Sequence, residues 1–291
     1  MPELPEVETI RRYLYQDIIG KTIKDIDIRV AKQFISQKER VIGKKIVDIQ
    51  RKGKIIIIKF THLLFLNIHL KLTGQLVFAK EINQKYKTTI PHANSNSLPA
   101  KTTRIIIYFT DSSVLYFNDL RKFGWMKVTD KPEQPKGIDV LSKDFTLKYF
   151  NSLVHRSPGK GGLTHKTNKP IKLLLMDQDK ICGIGNIYAN DALYIAKIHP
   201  LKKSKSLSDE EIKRLYQAIK QTINQGLKYH GSSDESYILP DASVGHYQNH
   251  FKAYGREKKP CSRCRTLIRR IKHHGRSSFF CPNCQPAPPS F

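Results

Sequence analysis

The first residues of the chain could carry out nucleophilic chemistry on a sugar carbon. Removal of Met1 would expose the α-amine of Pro2. Such an amine has a reference pKa of ~7.7–8.0, against ~10.4 for lysine, so roughly a tenth of it is unprotonated at neutral pH. An unprotonated amine can attack an aldehyde-like carbon and form a Schiff base, and Glu3 beside it could shuttle protons. The alternative is that Pro2 and Pro5 merely begin a helix, since proline suits a first helical turn.

Four of the five cysteines have the spacing of a metal site. Cys261 and Cys264 form one Cys-x-x-Cys pair, Cys281 and Cys284 form a second, and sixteen residues separate the pairs. Two such pairs provide the tetrahedral thiolate ligands of a zinc ribbon. Because four protein ligands leave no open coordination position, the spacing predicts a single structural Zn²⁺. The fifth cysteine, Cys182, is predicted to be a small buried hydrophobic residue.

The segment Gly183-Ile184-Gly185-Asn186 has the composition of a phosphate-binding turn. Glycines permit close backbone approach, and the helix predicted after them begins with free N–H groups and a positive dipole. Asn186 is also predicted to cap that helix. The alternative is an ordinary corner between two helices. A dinucleotide site is not indicated, because no strand is predicted before the turn and a third glycine is absent.

The charge of the chain indicates a polyanionic partner. There are 51 Lys and Arg against 25 Asp and Glu, a formal net charge of +26, which favours nucleic acid over a membrane surface. A lysine-rich proteome would spread this charge evenly, but ten basic residues lie from Lys252 to Arg276 with Glu257 as the only acidic one. This block predicts a phosphate-facing surface. No apolar run approaches the ~18 residues of a membrane span, and we expect a cytoplasmic protein.

The elements that must position these residues begin with a helix and a strand-rich region. Apolar residues at spacings of three and four predict a helix over 6–19; they are Val7, Ile10, Leu14 and Ile18. Runs of β-branched and aromatic residues follow without intervening helices, which predicts an antiparallel sandwich. These runs cover 26–30, 55–60, 63–69, 104–109 and 114–117.

The rest of the chain is predicted to be helical after a linker at 131–137. Candidate helices cover 145–154, 171–177 and 186–196. The strongest one begins at Ser208, where Glu211 completes a capping box. Residues 85–103 and 155–162 are predicted to be loops.

Three of these motifs occur together in one protein family. The opening Met-Pro-Glu-Leu-Pro-Glu-Val-Glu-Thr, the sequence Gly-Ile-Gly-Asn-Ile-Tyr-Ala at 183–189 and the terminal ribbon stand in one order. In this the chain resembles, over almost its whole length, the formamidopyrimidine-DNA glycosylases, bacterial repair enzymes that excise oxidised purines. Leu-Pro-Glu-Val-Glu at 4–8 favours this branch over the related endonuclease VIII branch. The resemblance implies an α+β multidomain fold: an N-terminal antiparallel β-sandwich with a flanking helix (1–131), a helix–two-turns–helix domain (138–250), a C-terminal zinc ribbon (251–285) and a flexible tail (286–291).

The resemblance also implies roles for residues at the reacting sugar. Pro2 would be the nucleophile and Glu3 the acid–base group, with Glu6 supporting the site. Lys54, in an Arg-Lys-Gly-Lys segment before a predicted strand, would transfer a proton or bind a phosphate near that sugar. Without the resemblance, Lys54 would be interpreted as a solvated charge.

Other matched residues would hold DNA around a flipped nucleotide. Asn186 and Arg276 match the residues that pinch its phosphates, and Arg276 thereby contributes to catalysis. A glycosylase takes its base out of the stack, and an apolar wedge usually fills the vacated space. Within residues 119–124, Phe123 would be that wedge and Arg121 would face the orphaned partner base. The alternative for Phe123 is a buried aromatic side chain in a turn.

The chain departs from the family at three places. Leu72 stands where the family usually has methionine, and a long apolar side chain can still be inserted. Arg104 lies in a Lys-Thr-Thr-Arg segment that replaces a histidine-containing stretch, and it could take over that DNA contact. Residues 228–248, where the family places its damaged-base loop, are not closely alike, so lesion preference is the least determined inference.

The resemblance implies a bifunctional glycosylase and lyase that acts on damaged double-stranded DNA as a monomer. Pro2 would displace 8-oxoguanine or a formamidopyrimidine, form an imine with the opened sugar and cleave the strand by β,δ-elimination. Zinc is the one cofactor expected, and it would be structural. Two alternatives are a sibling glycosylase for oxidised pyrimidines and a non-enzymatic damaged-DNA-binding protein on the same scaffold. Retention of Met1 would favour the second, because an acylated proline nitrogen cannot attack.

Overall fold

The computed structural model describes residues 1–82, 84–86, 98–155, 157–158, 164–165 and 168–288. The contacts among residues divide the chain into two units. One comprises Met1–Gln134 with Gly226–Gln248, and the other comprises Pro135–Gln225 with Asn249–Phe291. No helix in the described part of the chain is long and apolar enough to cross a membrane.

In the residues that the structure describes, the first unit is built from an N-terminal α-helix and two antiparallel sheets. Its elements are α1 (Leu4–Ile18), β1 (Ile23–Ile28), β2 (Ile46–Lys52), β3 (Ile55–Phe60), β4 (Leu64–His69), β5 (Gly74–Ala79), β6 (Thr103–Phe109), β7 (Val114–Asp119) and β8 (Trp125–Thr129). One sheet has the order β1-β6-β7-β5 and the other β2-β3-β4-β8, with all neighbours antiparallel. The predicted apolar stripe of α1 is buried in one core with side chains from both sheets, such as Ile107 and Ile58. The predicted sandwich with a flanking helix is confirmed.

Helix α1 begins two residues earlier than predicted, at Leu4 instead of Glu6. Glu3 is its N-cap residue and Pro5 lies in the first turn, where the missing N–H of proline has no helical partner to lose. The Glu6 carboxylate accepts a hydrogen bond from the Glu3 N–H at 2.8 Å, which is the return contact of a capping box. The prolines therefore do begin a helix, and the same helix start fixes Glu3 beside Pro2.

The second unit is mainly helical and ends in a hairpin. Its elements are β9 (Ile138–Asp139), α2 (Leu147–His155), β10 (Ser157–Pro158), β11 (Thr164–His165), α3 (Ile171–Leu175), β12 (Ile181–Cys182), α4 (Asn186–Ala196), α5 (Asp209–Lys228, whose last turn belongs to the first unit), β13 (Arg269–His273) and β14 (Arg276–Phe280). The bounds of α4 agree with the prediction, whereas α2 is displaced by one or two residues and α3 is two residues shorter. The capping box at Ser208 is confirmed, since its N–H and Oγ exchange hydrogen bonds with Glu211. The predicted loops at 85–103 and 155–162 lie largely outside the described residues.

A short parallel pair precedes the glycine turn. Ile181 lies opposite Ile138, and Cys182 lies opposite Asp139. The prediction that no strand comes before this turn was therefore wrong, because two residues are enough to pair with β9. Cys182 is buried, as predicted.

Candidate active site and nucleic-acid interface

The residues predicted to do the chemistry lie buried at the start of α1. Pro2, Glu3 and Glu6 are all buried. The two carboxylate oxygens of Glu6 accept backbone hydrogen bonds from different segments, one from Glu3 N–H and one from Ser232 N–H, both at 2.8 Å. Glu6 thus links Glu3, the residue next to Pro2, to Ser232, which lies 226 residues after Glu6 in the sequence.

Gly231 makes that contact possible. Its φ is +79°, and a Cβ at this position would lie 2.7 Å from Glu6 Cγ, so any other residue would push the carboxylate away. Tyr237 contributes from the same segment, since its hydroxyl donates a hydrogen bond to the Glu6 carbonyl at 3.4 Å. Burial, and then the charge of Glu6, raises the pKa of Tyr237 well above its usual value. The hydroxyl therefore keeps its proton and remains a donor.

The segment 226–248 also packs along β5 in the first unit. The Phe78 N–H donates to the Pro240 carbonyl at 2.8 Å, and the Gln75 side chain donates to the Ser236 carbonyl. The Ser236 hydroxyl donates to the carbonyl of Leu72 at 3.5 Å. The half-buried Leu72 therefore lies beside the segment that also contacts Glu6.

Lys54 lies in the tight turn between β2 and β3 and is only 8% exposed. The alternative of a solvated surface charge is therefore wrong. Gly53 has a φ of +56°, and its carbonyl accepts a hydrogen bond from Arg51 Nη1 at 2.8 Å. Arg51 Nε in turn donates to a carboxylate oxygen of Glu8 on α1 at 3.0 Å. This chain of contacts links the turn that carries Lys54 to the helix that carries Glu3.

Glu8 is shared by three arginines. Burial alone would raise the pKa of its carboxyl, but hydrogen bonds and charges from Arg11, Arg12 and Arg51 together lower it. Glu8 therefore stays ionised and keeps its hold on the buried Arg51. The sequence motifs that contain Glu8 and Arg51 gave neither residue a role, because only the fold brings α1 against β2.

His69 is a second residue that sequence reasoning missed. It ends β4, and its pairing partner is Ile55, the residue after Lys54. Burial, followed by the charges of Lys71 and Lys54, lowers the pKa of His69 to about 3. Its Nδ1 accepts a hydrogen bond from the Lys71 N–H at 3.0 Å. His69 is therefore a neutral side chain beside Lys54, and the hairpin register was the signal that could have found it.

The predicted intercalation loop presents an exposed aromatic ring. Phe123 is 53% exposed, so the alternative of a buried aromatic is wrong. The guanidinium carbon of Arg121 lies 5.0 Å from the centre of that ring. Leu120 on the same loop is exposed to a similar extent, 51%. The loop thus offers apolar side chains and a cation, as a wedge requires.

Asp119 stabilises this loop through hydrogen bonds to its backbone. One of its carboxylate oxygens accepts from Gly124 N–H at 2.7 Å and from Gln33 Nε2 at 2.9 Å. Gly124 cannot carry a side chain, since a Cβ would lie 2.7 Å from the Phe117 ring. Arg104 contributes by donating from Nε to the Asp119 carbonyl at 2.9 Å. Arg104 therefore supports the loop, and its DNA contact stays a prediction.

The glycine turn of the second unit differs from the prediction in one respect. Gly185 is the N-cap residue of α4, with an extended backbone, and Asn186 is the first helical residue. The prediction that Asn186 caps the helix was therefore wrong. Its carbonyl and side-chain oxygen instead accept hydrogen bonds from Asn190 Nδ2, at 2.7 and 3.3 Å. Gln178 fixes the turn by accepting from Gly183 N–H and donating to the Ile184 carbonyl.

Arg276 lies exposed on the hairpin of β13 and β14. It is the first residue of β14 and pairs with His273 across a turn that contains Gly275, whose φ is +71°. β14 packs against α4. Within this unit, the buried Lys172 donates from Nζ to the Ser277 carbonyl at 2.6 Å and to Ser278 Oγ at 2.9 Å. The strand that carries Arg276 is thus held by buried polar contacts from the helical part.

The four paired cysteines form a site whose geometry fits zinc. All four Sγ atoms lie within 4.8 Å of one another. A tetrahedral ion with Zn–S bonds of ~2.3 Å requires sulfur–sulfur distances of ~3.8 Å, and Cys261–Cys284 measures 3.9 Å and Cys264–Cys281 3.4 Å. Hydrogen bonding by Thr266 lowers the pKa of Cys264 to about 5. A single structural Zn²⁺ is the cofactor that this cluster supports.

Family models match most of the chain. Residues 1–126 match the formamidopyrimidine-DNA glycosylase N-terminal domain, and residues 137–237 match the formamidopyrimidine-DNA glycosylase H2TH domain. Residues 258–287 match the zinc finger found in FPG and IleRS.

Individual proteins and structures are similar over their full length. The formamidopyrimidine-DNA glycosylase of Listeria monocytogenes is 35% identical, with 98% of this chain and 100% of that protein covered. The crystal structure of the MutM (Fpg) protein from Thermus thermophilus covers 99% of this chain and 100% of its own, with a TM-score of 0.82 and 31% identity. A Lactococcus lactis Fpg variant in complex with DNA containing Fapy-dG covers 98% and 100%, also with a TM-score of 0.82 and 31% identity.

Proposed function

Because the chain belongs to the formamidopyrimidine-DNA glycosylase family, we propose that it is a bifunctional DNA repair enzyme. It removes oxidised purines, 8-oxoguanine and formamidopyrimidines, from duplex DNA and then cleaves the strand as an abasic-site lyase. The observation that carries this function is the buried Pro2–Glu3 pair at the start of α1, secured by the Glu6 carboxylate.

The partner is damaged double-stranded DNA. Complexes of Lactococcus lactis Fpg with DNA that contains Fapy-dG or an abasic site support this, as does the net charge of +26. We further propose a monomer that works in the cytoplasm and does not have a membrane as a partner. Five free cysteines, four of them grouped as metal ligands, suit a reducing compartment.

The chemistry begins at the nitrogen of Pro2 after Met1 is removed. The amine attacks the C1′ carbon of the damaged nucleotide and the base leaves, so that the opened sugar is held as an imine. Loss of a proton from C2′ then expels the phosphate on the 3′ side by β-elimination. Loss of a second proton, from C4′, expels the phosphate on the 5′ side by δ-elimination. Glu3 is the acid–base group, and Glu6 holds its backbone in place.

Lys54 supplies a cation beside this site. Its burial restricts the side chain, and the Arg51–Gly53 hydrogen bond fixes the turn that carries it. It transfers a proton or binds a phosphate next to the attacked sugar.

DNA is held by two further groups of residues. Asn186 and Arg276 bind the phosphates around the flipped nucleotide, and Arg276 thereby contributes to catalysis. Phe123 and Leu72 fill the space that the flipped base leaves in the stack, and Arg121 contacts the opposite base. Arg104 supports the loop through its hydrogen bond to the Asp119 carbonyl and makes a further contact with DNA. Zn²⁺, held by the four cysteines, supplies the fold of the ribbon that presents Arg276. The boundaries proposed are 1–131, 138–250 and 251–285, followed by the tail 286–291.

A lesion panel tests the proposed function against its alternatives. Strand cleavage should be measured on matched duplexes that contain 8-oxoguanine, formamidopyrimidine, thymine glycol or no lesion. We expect kcat/KM for the oxidised purines to exceed that for thymine glycol by at least about tenfold. The reverse ranking would support the sibling glycosylase for oxidised pyrimidines. Binding without cleavage by a chain that begins at Pro2 would support the non-enzymatic alternative.

Removal of the wedge should slow base flipping more than it weakens initial binding. Phe123→Ala deletes the exposed ring, and since unstacking a base step costs a few kcal/mol, we expect excision to slow by about tenfold or more. A fluorescent stacking reporter beside the lesion would follow the flipping step directly. Leu120→Ala is the matched control, because this side chain is as exposed on the same loop. Flipping at the wild-type rate in Phe123→Ala would contradict the assignment.

A further inference from the structure

Asn190 contacts Asn186 and the strand that carries Arg276, and these two residues are the ones proposed to bind the phosphates. Its side chain is 1% exposed. Its Oδ1 accepts a hydrogen bond from the Phe279 N–H on β14 at 2.8 Å, in the strand that begins with Arg276. Its Nδ2 donates to the carbonyl of Asn186 at 2.7 Å and faces Asn186 Oδ1 at 3.3 Å.

These contacts determine which way the amide of Asn186 faces. A backbone N–H can only donate, so the Asn190 atom opposite Phe279 must be the oxygen. The amide nitrogen of Asn190 is then directed at Asn186. Because that nitrogen can only donate, the Asn186 atom opposite it must be an oxygen as well.

The orientation matters because a phosphate only accepts hydrogen bonds. With its oxygen turned to Asn190, Asn186 directs its NH₂ group away from Asn190, and this group is the one a phosphate oxygen needs. The opposite orientation would present an oxygen to the phosphate and repel it. An asparagine amide has two nearly isosteric orientations, so a neighbour must select one.

We propose that Asn190 is a positioning residue that fixes the amide of Asn186 with its NH₂ group toward the DNA backbone. The inference rests on the proposed function, since Asn186 must bind a phosphate for its orientation to matter. Asn190 does not touch DNA, because it is buried, and it acts only through Asn186.

The test is a double-mutant cycle with Asn190→Asp and Asn186→Ala. Asn190→Asp keeps an acceptor for the Phe279 N–H but places an oxygen where Nδ2 was, so the Asn186 amide should turn its NH₂ group inward and its oxygen toward the phosphate. The new oxygen also faces the backbone carbonyls of Asn186 and Ser277, and this repulsion is the same whether residue 186 is asparagine or alanine. Asn186→Ala alone should weaken binding to a duplex with a tetrahydrofuran abasic-site analogue on the order of tenfold. Asn190→Asp should weaken it more, since it replaces the hydrogen bond to the phosphate with a repulsion between two oxygens.

The decisive result is whether Asn186→Ala raises or lowers DNA affinity in the Asn190→Asp background. In the Asn190→Asp background, Asn186→Ala should improve binding, because it removes the misdirected oxygen while the added charge at position 190 stays the same. A merely structural role for Asn190 predicts that Asn186→Ala weakens binding equally in both backgrounds, and that result would overturn the inference. So would wild-type affinity in Asn186→Ala.

Two measurements keep the outcome interpretable. Zinc content and thermal unfolding check that Asn190→Asp keeps its ribbon. If Asn190→Asp does not fold, Asn190→Ala takes its place. When Asn186 is already alanine, Asn190→Ala should cause no further loss of DNA affinity. A loss as large as the one that Asn190→Ala causes alone would contradict the proposal. Failure of the proposed function is distinguishable, since a wild-type chain that begins at Pro2 would then fail to cleave a duplex that contains 8-oxoguanine.

Discussion

A chain that carries two extra residues before Pro2 is expected to lose strand cleavage by at least about a thousandfold. The extension turns the proline nitrogen into a tertiary amide, whose lone pair is delocalised and cannot attack a sugar carbon. Binding to an abasic-site duplex should fall only modestly, because the phosphate and wedge residues are unchanged. Single-turnover cleavage and equilibrium binding would be measured on the same preparations.

The matched control for that result is Pro2→Gly with a free N-terminus. It keeps an α-amine of similar pKa and should retain measurable lyase activity. Cleavage by the extended chain at the rate of the free chain would place the nucleophile elsewhere.

Loss of zinc should have the second-largest effect. Cys264→Ser removes one of four ligands, so the metal content should fall from about one per chain to none, and the hairpin of β13 and β14 should lose its fold. Arg276 and much of the basic block would then lose their fixed positions. We therefore expect DNA affinity at physiological salt to fall by at least about 100-fold. The log–log salt slope should also become shallower by ~0.9 for each phosphate that the protein no longer neutralises.

The first unit should survive this substitution. Its core is built from α1 and the two sheets, so its circular dichroism and its hydrogen-exchange protection should persist. Cys182→Ser is the matched control, because Cys182 is buried outside the metal cluster and its substitution should leave the zinc in place. A metal-free Cys264→Ser protein that binds DNA normally would refute a structural role for the ion.

Much of the fold follows from local patterns in the sequence. The stripe from Val7 to Ile18 is the buried face of α1, and the Cys-x-x-Cys spacing predicts the cluster. Both features depend on spacings of only a few residues: the period of an α-helix for the apolar stripe, and the two-residue gap of a Cys-x-x-Cys pair for the metal ligands. Predictions were wrong where side chains compete for hydrogen bonds at the ends of elements. Asn186 is an example, because its oxygens accept hydrogen bonds from Asn190 Nδ2 and the residue does not cap the helix.

The site could be predicted only in part, because its supports are distant in sequence. Pro2 and Glu3 stood out by their chemistry, but the Glu6–Ser232 hydrogen bond joins residues 226 positions apart, and no local pattern encodes such a pairing. The pKa of about 3 for His69 likewise depends on burial and on neighbouring cations. The glycine turn and the basic block indicated phosphate binding, but the family resemblance alone placed Asn186 and Arg276 around the same flipped nucleotide.

The most direct test of the central claim is to trap the covalent intermediate and locate it. Borohydride would be added during reaction with an 8-oxoguanine duplex, and the protein–DNA adduct would be digested and mapped by mass spectrometry. We expect a reduced adduct on the N-terminal peptide, at the nitrogen of Pro2, in a chain that has lost Met1. An adduct on the peptide that contains Lys54, with the Pro2 amine unmodified, would contradict it.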